Sequence, residues 1–66
     1  MIKKISDREL ETLDLLKFGL KNSQIAKELN VSISTAKAHV SALIEKLNVK
    51  NRTHAVYMGL KKGLIN

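Results

Sequence analysis

The chain has 66 residues with neither cysteine nor proline, and 12 Lys and Arg side chains stand against 6 Asp and Glu. This length leaves room for one domain over residues 1–66, and the lack of cysteine excludes disulfides and thiolate metal sites. No apolar run suits a signal peptide or a membrane span, so we expect a cytoplasmic chain that does not contact the membrane. The net charge of +6 favours a polyanionic partner, with nucleic acid as the first candidate.

Four helices are predicted in chain order, and the composition offers little material for strands. Their expected positions are about residues 7–18, 22–29, 33–47 and 52–62. The first helix begins after Ser6, because Glu9 three residues later completes a capping box in which each side chain satisfies a free backbone N–H. Gly19 supplies the left-handed residue that ends this helix.

The second and third predicted helices are joined by a short turn. Asn22 or Ser23 is expected to cap the second helix, and Asn30, a residue that tolerates positive φ, is expected to end it. Val31 is then the apolar residue of the turn, and Ser32 caps the third helix. A short helix, a turn of about three residues and a longer helix make a helix-turn-helix.

The third and fourth helices are expected to pack on the core through apolar stripes. The stripe of the third helix consists of Ala36, Val40, Leu43, Ile44 and Leu47. Asn48 is its expected left-handed terminator, and Asn51 is the expected cap of the fourth helix. In the fourth helix the residues expected to face inward are Ala55, Val56 and Leu60, with Leu64 and Ile65 folding back after Gly63. The predicted fold class is all-α, a four-helix bundle that contains the helix-turn-helix.

The face of the third helix opposite this stripe suits the major groove of DNA. Its side chains are small or polar, and residues near the N-terminus of such a helix reach base edges. Lys37 can donate to guanine O6 and N7, and Ala38 can touch a thymine methyl group. Ser34 and Ser41 can pair with several base edges. These four residues are therefore the predicted base-reading set.

Thr35 and His39 lie on a flank of this face, where side chains meet phosphate oxygens. Each also has an ordinary structural interpretation, since Thr35 can simply fill the helix surface and His39 can be a packed, hydrogen-bonded histidine. The DNA interpretation is preferred because the cap, the turn length, the stripe and the small outward face agree with one another.

The run from Ile5 to Ile65 resembles the LuxR-type (GerE-like) helix-turn-helix domain of bacterial regulators. The residues that carry the resemblance are Arg8, Glu9, Glu11, Leu13, Gly19, Leu20, Asn22, Ile25, Ala26, Leu29, Val31, Ser32, Thr35, Lys37, His39, Lys46, Leu47, Val49, Arg52, Ala55, Val56, Gly63, Leu64 and Ile65. The chain departs from the family pattern at three positions. It has Lys21 where the family usually has Ser or Thr, Ala36 where the family usually has a β-branched residue, and Asn48 where the family usually has glycine.

The resemblance implies regulation of transcription through double-stranded DNA, with the third helix as recognition helix and the fourth as the dimerisation surface. It implies base contacts from Lys37, Ala38 and Ser41, and structural roles for Glu9 and Arg52 as an ion pair. The phosphate contacts that it implies come from Asn22, Thr35, His39 and Lys46. The outward residues of the fourth helix are the expected contacts of a homodimer that forms at least on DNA, namely His54, Tyr57, Met58 and Lys61.

Two other classes of function compete with DNA binding. An enzyme is not expected, because the serines lack nucleophile-elbow glycines and no glycine loop for phosphate is present. His39 and His54 fall short of the roughly four ligands of a zinc site, so no metal, cofactor or small-molecule ligand is expected. A protein-interaction module or an antagonist of a DNA-binding relative stays open as the alternative. RNA polymerase is a candidate further partner.

Overall fold

Four helices account for the regular structure of residues 4–66, the part of the chain that the computed structural model describes. They are α1 (Asp7–Leu16), α2 (Asn22–Leu29), α3 (Ile33–Leu47) and α4 (Arg52–Lys61), with no strand in the described part. The all-α prediction is therefore confirmed. None of these helices is both long and apolar enough to cross a bilayer.

Three of the four helices begin at the predicted caps. At α1 the capping box is complete, since Ser6 N–H donates to Glu9 Oε1 at 2.9 Å and Glu9 N–H donates to Ser6 Oγ at 3.1 Å. Ser32 Oγ accepts from a backbone N–H at the start of α3, and Asn51 Oδ1 does so at α4. Each side chain satisfies a donor that the first helical turn leaves without a partner.

The start of α2 differs from the prediction of Asn22 or Ser23 as cap. Lys21 is the N-cap residue, with an extended backbone at φ −77° and ψ 161°. The side chain of Gln24 reaches back, and its Oε1 accepts from Lys21 N–H at 2.8 Å. The cap therefore lies one residue before Asn22, and the side chain of Gln24, not that of the cap itself, stabilises the first turn.

The helix ends follow the left-handed residues that the sequence indicates. Positive φ occurs at Gly19, Asn30, Asn48 and Gly63. Nevertheless α1 ends at Leu16, two residues before the expected position, because the chain tightens into a turn in which Gly19 N–H donates to Leu16 O at 3.0 Å. Helix α4 ends at Lys61, one residue early.

The core lies where the four helices meet, and every helix contributes to it. Its buried hydrophobic members are Leu13, Leu16, Ile25, Ala26, Leu29, Ala36, Val40, Leu43, Ala55 and Ile65. The expectation that Leu60 faces inward is wrong, since this side chain is 48% exposed. Gly59 is buried in its place, and a Cβ built there would lie 2.8 Å from Leu13 Cδ2. Helices α1 and α4 therefore approach each other closely at a position that only glycine fills without displacement.

Candidate nucleic-acid interface

The turn between α2 and α3 fixes the angle of the helix-turn-helix. Asn30 adopts the left-handed conformation, and Val31 N–H donates to Ala26 O at 2.9 Å, which satisfies a carbonyl at the end of α2. The Val31 side chain packs against the core, and Ser32 then starts α3 in an extended conformation. Because both helices are anchored at this turn, α3 has a defined orientation on the surface.

Helix α3 has a buried face and an exposed face along its whole length. The buried residues are Ala36, Val40 and Leu43. The four predicted base-reading residues all lie on the exposed side, namely Ser34, Lys37, Ala38 and Ser41. Among the described residues no neighbouring element covers them, so their contact with base edges stays a prediction that the geometry permits. A helix of 15 residues is about 22 Å long, which offers several turns to a groove.

One further exposed residue on this face was missed in the sequence analysis. Ile33 is the first residue of α3 and is 50% exposed. It precedes Lys37 by four positions and Ser41 by eight, so the three residues share one side of the helix. The four-residue spacing of Ile33, Lys37 and Ser41 is visible in the sequence. The predicted outward face, however, includes only polar and small side chains.

The flank of α3 contains Thr35 and His39. Thr35 is exposed, and its Oγ1 accepts from the Ser32 hydroxyl at 2.9 Å. A hydroxyl can accept and donate at once, so this contact leaves the Thr35 O–H as a donor for an anion. His39 is half-buried, with part of its ring surface accessible beside the exposed face.

Asn22 stands at the first position of α2, and Arg52 at the first position of α4 orients it. Arg52 Nη1 donates to Asn22 Oδ1 at 2.9 Å, while Nη2 donates to Leu20 O at 2.8 Å. Because the amide oxygen is used as an acceptor, the Asn22 amino group is the end of the side chain that remains a donor. The phosphate contact of Asn22 stays a prediction.

The expected ion pair between Glu9 and Arg52 is wrong, because Glu9 pairs with Lys46. Lys46 Nζ lies 2.7 Å from Glu9 Oε1, and the Glu9 side chain is only 9% exposed. Burial raises the pKa of Glu9, but the hydrogen bonds from Lys46 and Ser6 outweigh it and hold the pKa below its ordinary value of 4.5. The pair ties α1 to α3, so Lys46 has a structural partner in addition to its predicted phosphate contact.

The outward side of α4 carries two aromatic side chains and a lysine, one after another along the helix. The rings of His54 and Tyr57 lie with centroids 6.3 Å apart, and Lys61 Nζ is 5.8 Å from the centre of the Tyr57 ring. His54 Nδ1 accepts from Lys50 N–H at 3.2 Å, which fixes the ring against the preceding loop. Tyr57 is 58% exposed, whereas His54 and Met58 are half-buried. We call the set His54, Tyr57, Met58 and Lys61 the α4 patch.

Charge is distributed unevenly along the chain. Residues 17–66 contain nine Lys and Arg side chains and two acidic ones. Residues 1–16 contain three Lys and Arg side chains and four acidic ones. Two of the acidic side chains in α1 are also paired locally, Glu11 with Arg8 and Asp14 with Lys17. The excess positive charge therefore belongs to the segment that includes the helix-turn-helix and α4.

The short turn, the anchored helix α3 with small side chains on its exposed face, and the basic surrounding segment together define a helix-turn-helix domain. Residues 3–59 match the family described as bacterial regulatory proteins, luxR family (GerE). The chain belongs to this family.

Individual relatives agree with the family. The chain is 43% identical over 58 residues to "Uncharacterized transcriptional regulatory protein YxjL" of Bacillus subtilis (strain 168), a match that covers 88% of this chain and 27% of that protein. The solved structure of the transcription factor GerE superposes with a TM-score of 0.87 at 29% identity, over 97% of both chains. The response regulator ChrA of a heme-sensing two-component system superposes with a TM-score of 0.89 at 40% identity, over 96% of this chain and 31% of ChrA.

The chain spans less than a third of the length of the curated relatives that it matches. It covers 27% of YxjL and 29% of another relative. These relatives carry names of transcriptional or response regulators.

Proposed function

We propose that this chain binds double-stranded DNA sequence-specifically with α3 in the major groove and thereby regulates transcription. The observation that carries the proposal is the sidedness of α3, whose small and polar exposed face with Lys37 lies opposite a buried apolar stripe. A B-DNA major groove about 12 Å wide admits a helix of this kind. The net charge of +6 adds an attraction that does not depend on base sequence.

Base reading is assigned to the exposed side chains near the start and middle of α3. Lys37 donates to guanine O6 and N7, Ala38 contacts a thymine methyl group, and Ser34 and Ser41 pair with base edges. All four are exposed, so docking requires no change in the fold.

Phosphate contacts are assigned to groups that border this face. Asn22 offers its amino group beside the N-terminus of α2, and Thr35 offers its hydroxyl beside that of α3, where free N–H groups also favour an anion. His39 contributes from the flank. Lys46 contributes only those ammonium hydrogens that do not point at Glu9.

Two copies are proposed to read paired half-sites and to touch through the α4 patch. The molecule measures 30 × 22 × 20 Å, which is close to the spacing of about 34–36 Å between successive major grooves on one side of the duplex. A regulator held at a promoter in this way is a candidate partner of RNA polymerase. Since it would act on the bacterial chromosome, we assign it to the cytoplasm. We assign it no catalytic role.

Base reading is tested in two steps. Binding sites are first selected from a random duplex pool. Wild type and Lys37→Ala are then titrated on the selected site and on random duplex. Lys37→Ala should lose about 1–3 kcal/mol on the selected site and little on random duplex. Lys62→Ala is the matched control, because it removes the same charge from an exposed position outside α3. The control should weaken both kinds of DNA slightly and equally.

Two results would contradict the proposal. Equal losses for Lys37→Ala on both kinds of DNA would show that Lys37 does not read a base. A binding constant that hardly changes with salt would exclude phosphate contacts, since each contact contributes about −0.9 to the slope of log K against log salt. That second result would favour the alternative of a protein-interaction module.

A further inference from the structure

Ile33 is an apolar side chain at the leading end of the proposed DNA-binding face. It is the first residue of α3, directly after the cap Ser32, and half of its surface is exposed. Single exposed apolar residues are common on protein surfaces and need no explanation by themselves. The position of Ile33 is what distinguishes it, because it continues the exposed row formed by Lys37 and Ser41.

The direction of the side chain strengthens this placement. In an α-helix each Cα–Cβ bond tilts toward the N-terminus, so Ile33 extends the row beyond the first turn of α3. Residues at the N-terminal end of a recognition helix are those that reach base edges. When α3 lies in the groove, Ile33 is therefore at its deep end and not at the rim.

The chemistry of isoleucine restricts what it can recognise there. Its side chain has no hydrogen-bond donor or acceptor, and the thymine C5-methyl group is the apolar feature of base edges in the major groove. We propose that Ile33 is a specificity-determining residue that contacts a thymine methyl group. This inference rests on the proposed binding of α3 in the major groove.

The helix geometry also limits where that thymine lies. Four residues of α-helix rise about 6 Å, and successive base pairs are about 3.4 Å apart. The thymine contacted by Ile33 therefore falls within about two or three base pairs of the base contacted by Lys37. The expected signature is a thymine at a fixed, short distance from a guanine in the selected sites.

The test removes the methyl group from the DNA and the side chain from the protein, separately and together. Each thymine within three base pairs of the guanine sensitive to Lys37→Ala is replaced singly by deoxyuridine. In addition to any loss at the thymine assigned to Ala38, wild type should lose about four-fold in affinity at the thymine that Ile33 contacts, which corresponds to one buried methyl group. Ile33→Ala should bind thymine and uracil equally at that position while keeping its preference for the guanine.

Phe18→Ala is the matched control, since Phe18 is another strongly exposed apolar residue, 67% accessible, in the link between α1 and α2. It should keep the full wild-type sensitivity to the methyl group. Helical circular dichroism shows that each variant is folded, and alanine at an exposed helical position favours this. As a second readout, site selection with Ile33→Ala should no longer enrich thymine at the sensitive position.

The inference is overturned if no thymine methyl group near the guanine matters to wild type, or if Ile33→Ala keeps the wild-type methyl dependence at every sensitive thymine. A failure of the proposed function gives a different result in the same titrations, because wild type would then prefer no selected site over random duplex.

Discussion

Glu9 joins the cap of α1 to α3 through one carboxylate oxygen. Its Oε1 accepts from Ser6 N–H at the cap of α1 and from Lys46 Nζ on α3. Burial alone would raise the pKa of this carboxyl, yet these hydrogen bonds hold it below 4.5. The charged form of Glu9 therefore interacts more favourably in the folded protein than in the unfolded chain.

Glu9 should consequently make stability depend on pH in the acidic range. A lowered pKa contributes stability that is fully present above about pH 4.5 and is lost as the pH falls through the folded-state pKa. Glu9→Gln should lower the free energy of unfolding by about 1–3 kcal/mol at pH 7 and flatten its decline between pH 5 and pH 3. Urea unfolding at several pH values measures both effects.

Glu11→Gln is the control for this pH dependence. Glu11 pairs with Arg8 at the surface, with its side chain 56% exposed, and such pairs contribute little. Its unfolding curve should follow wild type at every pH. A Glu9→Gln variant as sensitive to acid as wild type would remove Glu9 from this role.

At the scale of the helices, the contact between α1 and α4 depends on Gly59. A Cβ at this position would lie 2.8 Å from Leu13 Cδ2 and 3.3 Å from Ile65 Cγ1, and both side chains belong to the core. Alanine in an exposed helix would stabilise by about 1 kcal/mol relative to glycine. Here the steric conflict should dominate.

We therefore expect Gly59→Ala to lower the free energy of unfolding by about 1–3 kcal/mol, the usual cost of overpacking. The loss should be smaller in a Leu13→Val background, because valine lacks the Cδ2 atom that the new methyl group meets. A double-mutant cycle from four denaturation curves measures this coupling. A stabilising Gly59→Ala would mean that propensity, and not packing, governs the position.

Features of the fold that depend on neighbours within a few residues could be predicted from the sequence. The capping box of Ser6 and Glu9, the cap at Ser32 and the left-handed Asn30 and Asn48 are of this kind. The ion pair of Glu9 with Lys46 joins residues 37 positions apart, and no local pattern distinguishes Lys46 from other basic partners. Only the packing of α1 against α3 brings Lys46, and not another basic residue, to Glu9.

Helix regularity also limits what could be predicted of the site. The exposed side of α3 follows from its clear apolar stripe, so the exposure of Lys37 and Ser41 was predictable. Helix α4 has only a weak apolar pattern, and its closest approach to α1 is made by a glycine, which hydrophobicity does not mark. The sequence pattern therefore predicts Leu60 on the inner side and does not mark Gly59.

For the molecule as a whole, the proposed pairing of two copies depends on how much surface α4 can contribute. A standard interface buries about 800 Å² per partner, which is roughly a sixth of the 4571 Å² surface of this chain. Helix α4, with ten residues and only one side to offer, covers less than that. Association through the α4 patch should therefore be weak in free solution and become appreciable when DNA holds two copies on adjacent half-sites.

Tyr57 is the residue of the α4 patch best suited to test this. Its ring is exposed and lies between His54 and Lys61, and aromatic side chains in such positions often dominate an interface. On DNA with two half-sites one helical turn apart, Tyr57→Ala should reduce cooperative binding by about 1–2 kcal/mol, roughly 5–30-fold. On a single half-site it should bind like wild type, because α4 is not assigned a contact with DNA.

Phe18→Ala again serves as the control, since it removes an exposed aromatic ring that lies outside the α4 patch. It should leave cooperativity intact. Inserting five base pairs between the half-sites turns the second copy to the opposite side of the duplex, and wild type should then lose the same cooperativity that Tyr57→Ala loses. If Tyr57→Ala instead weakens single and paired half-sites equally, Tyr57 acts on folding or on DNA contact, and pairing through α4 has to be abandoned.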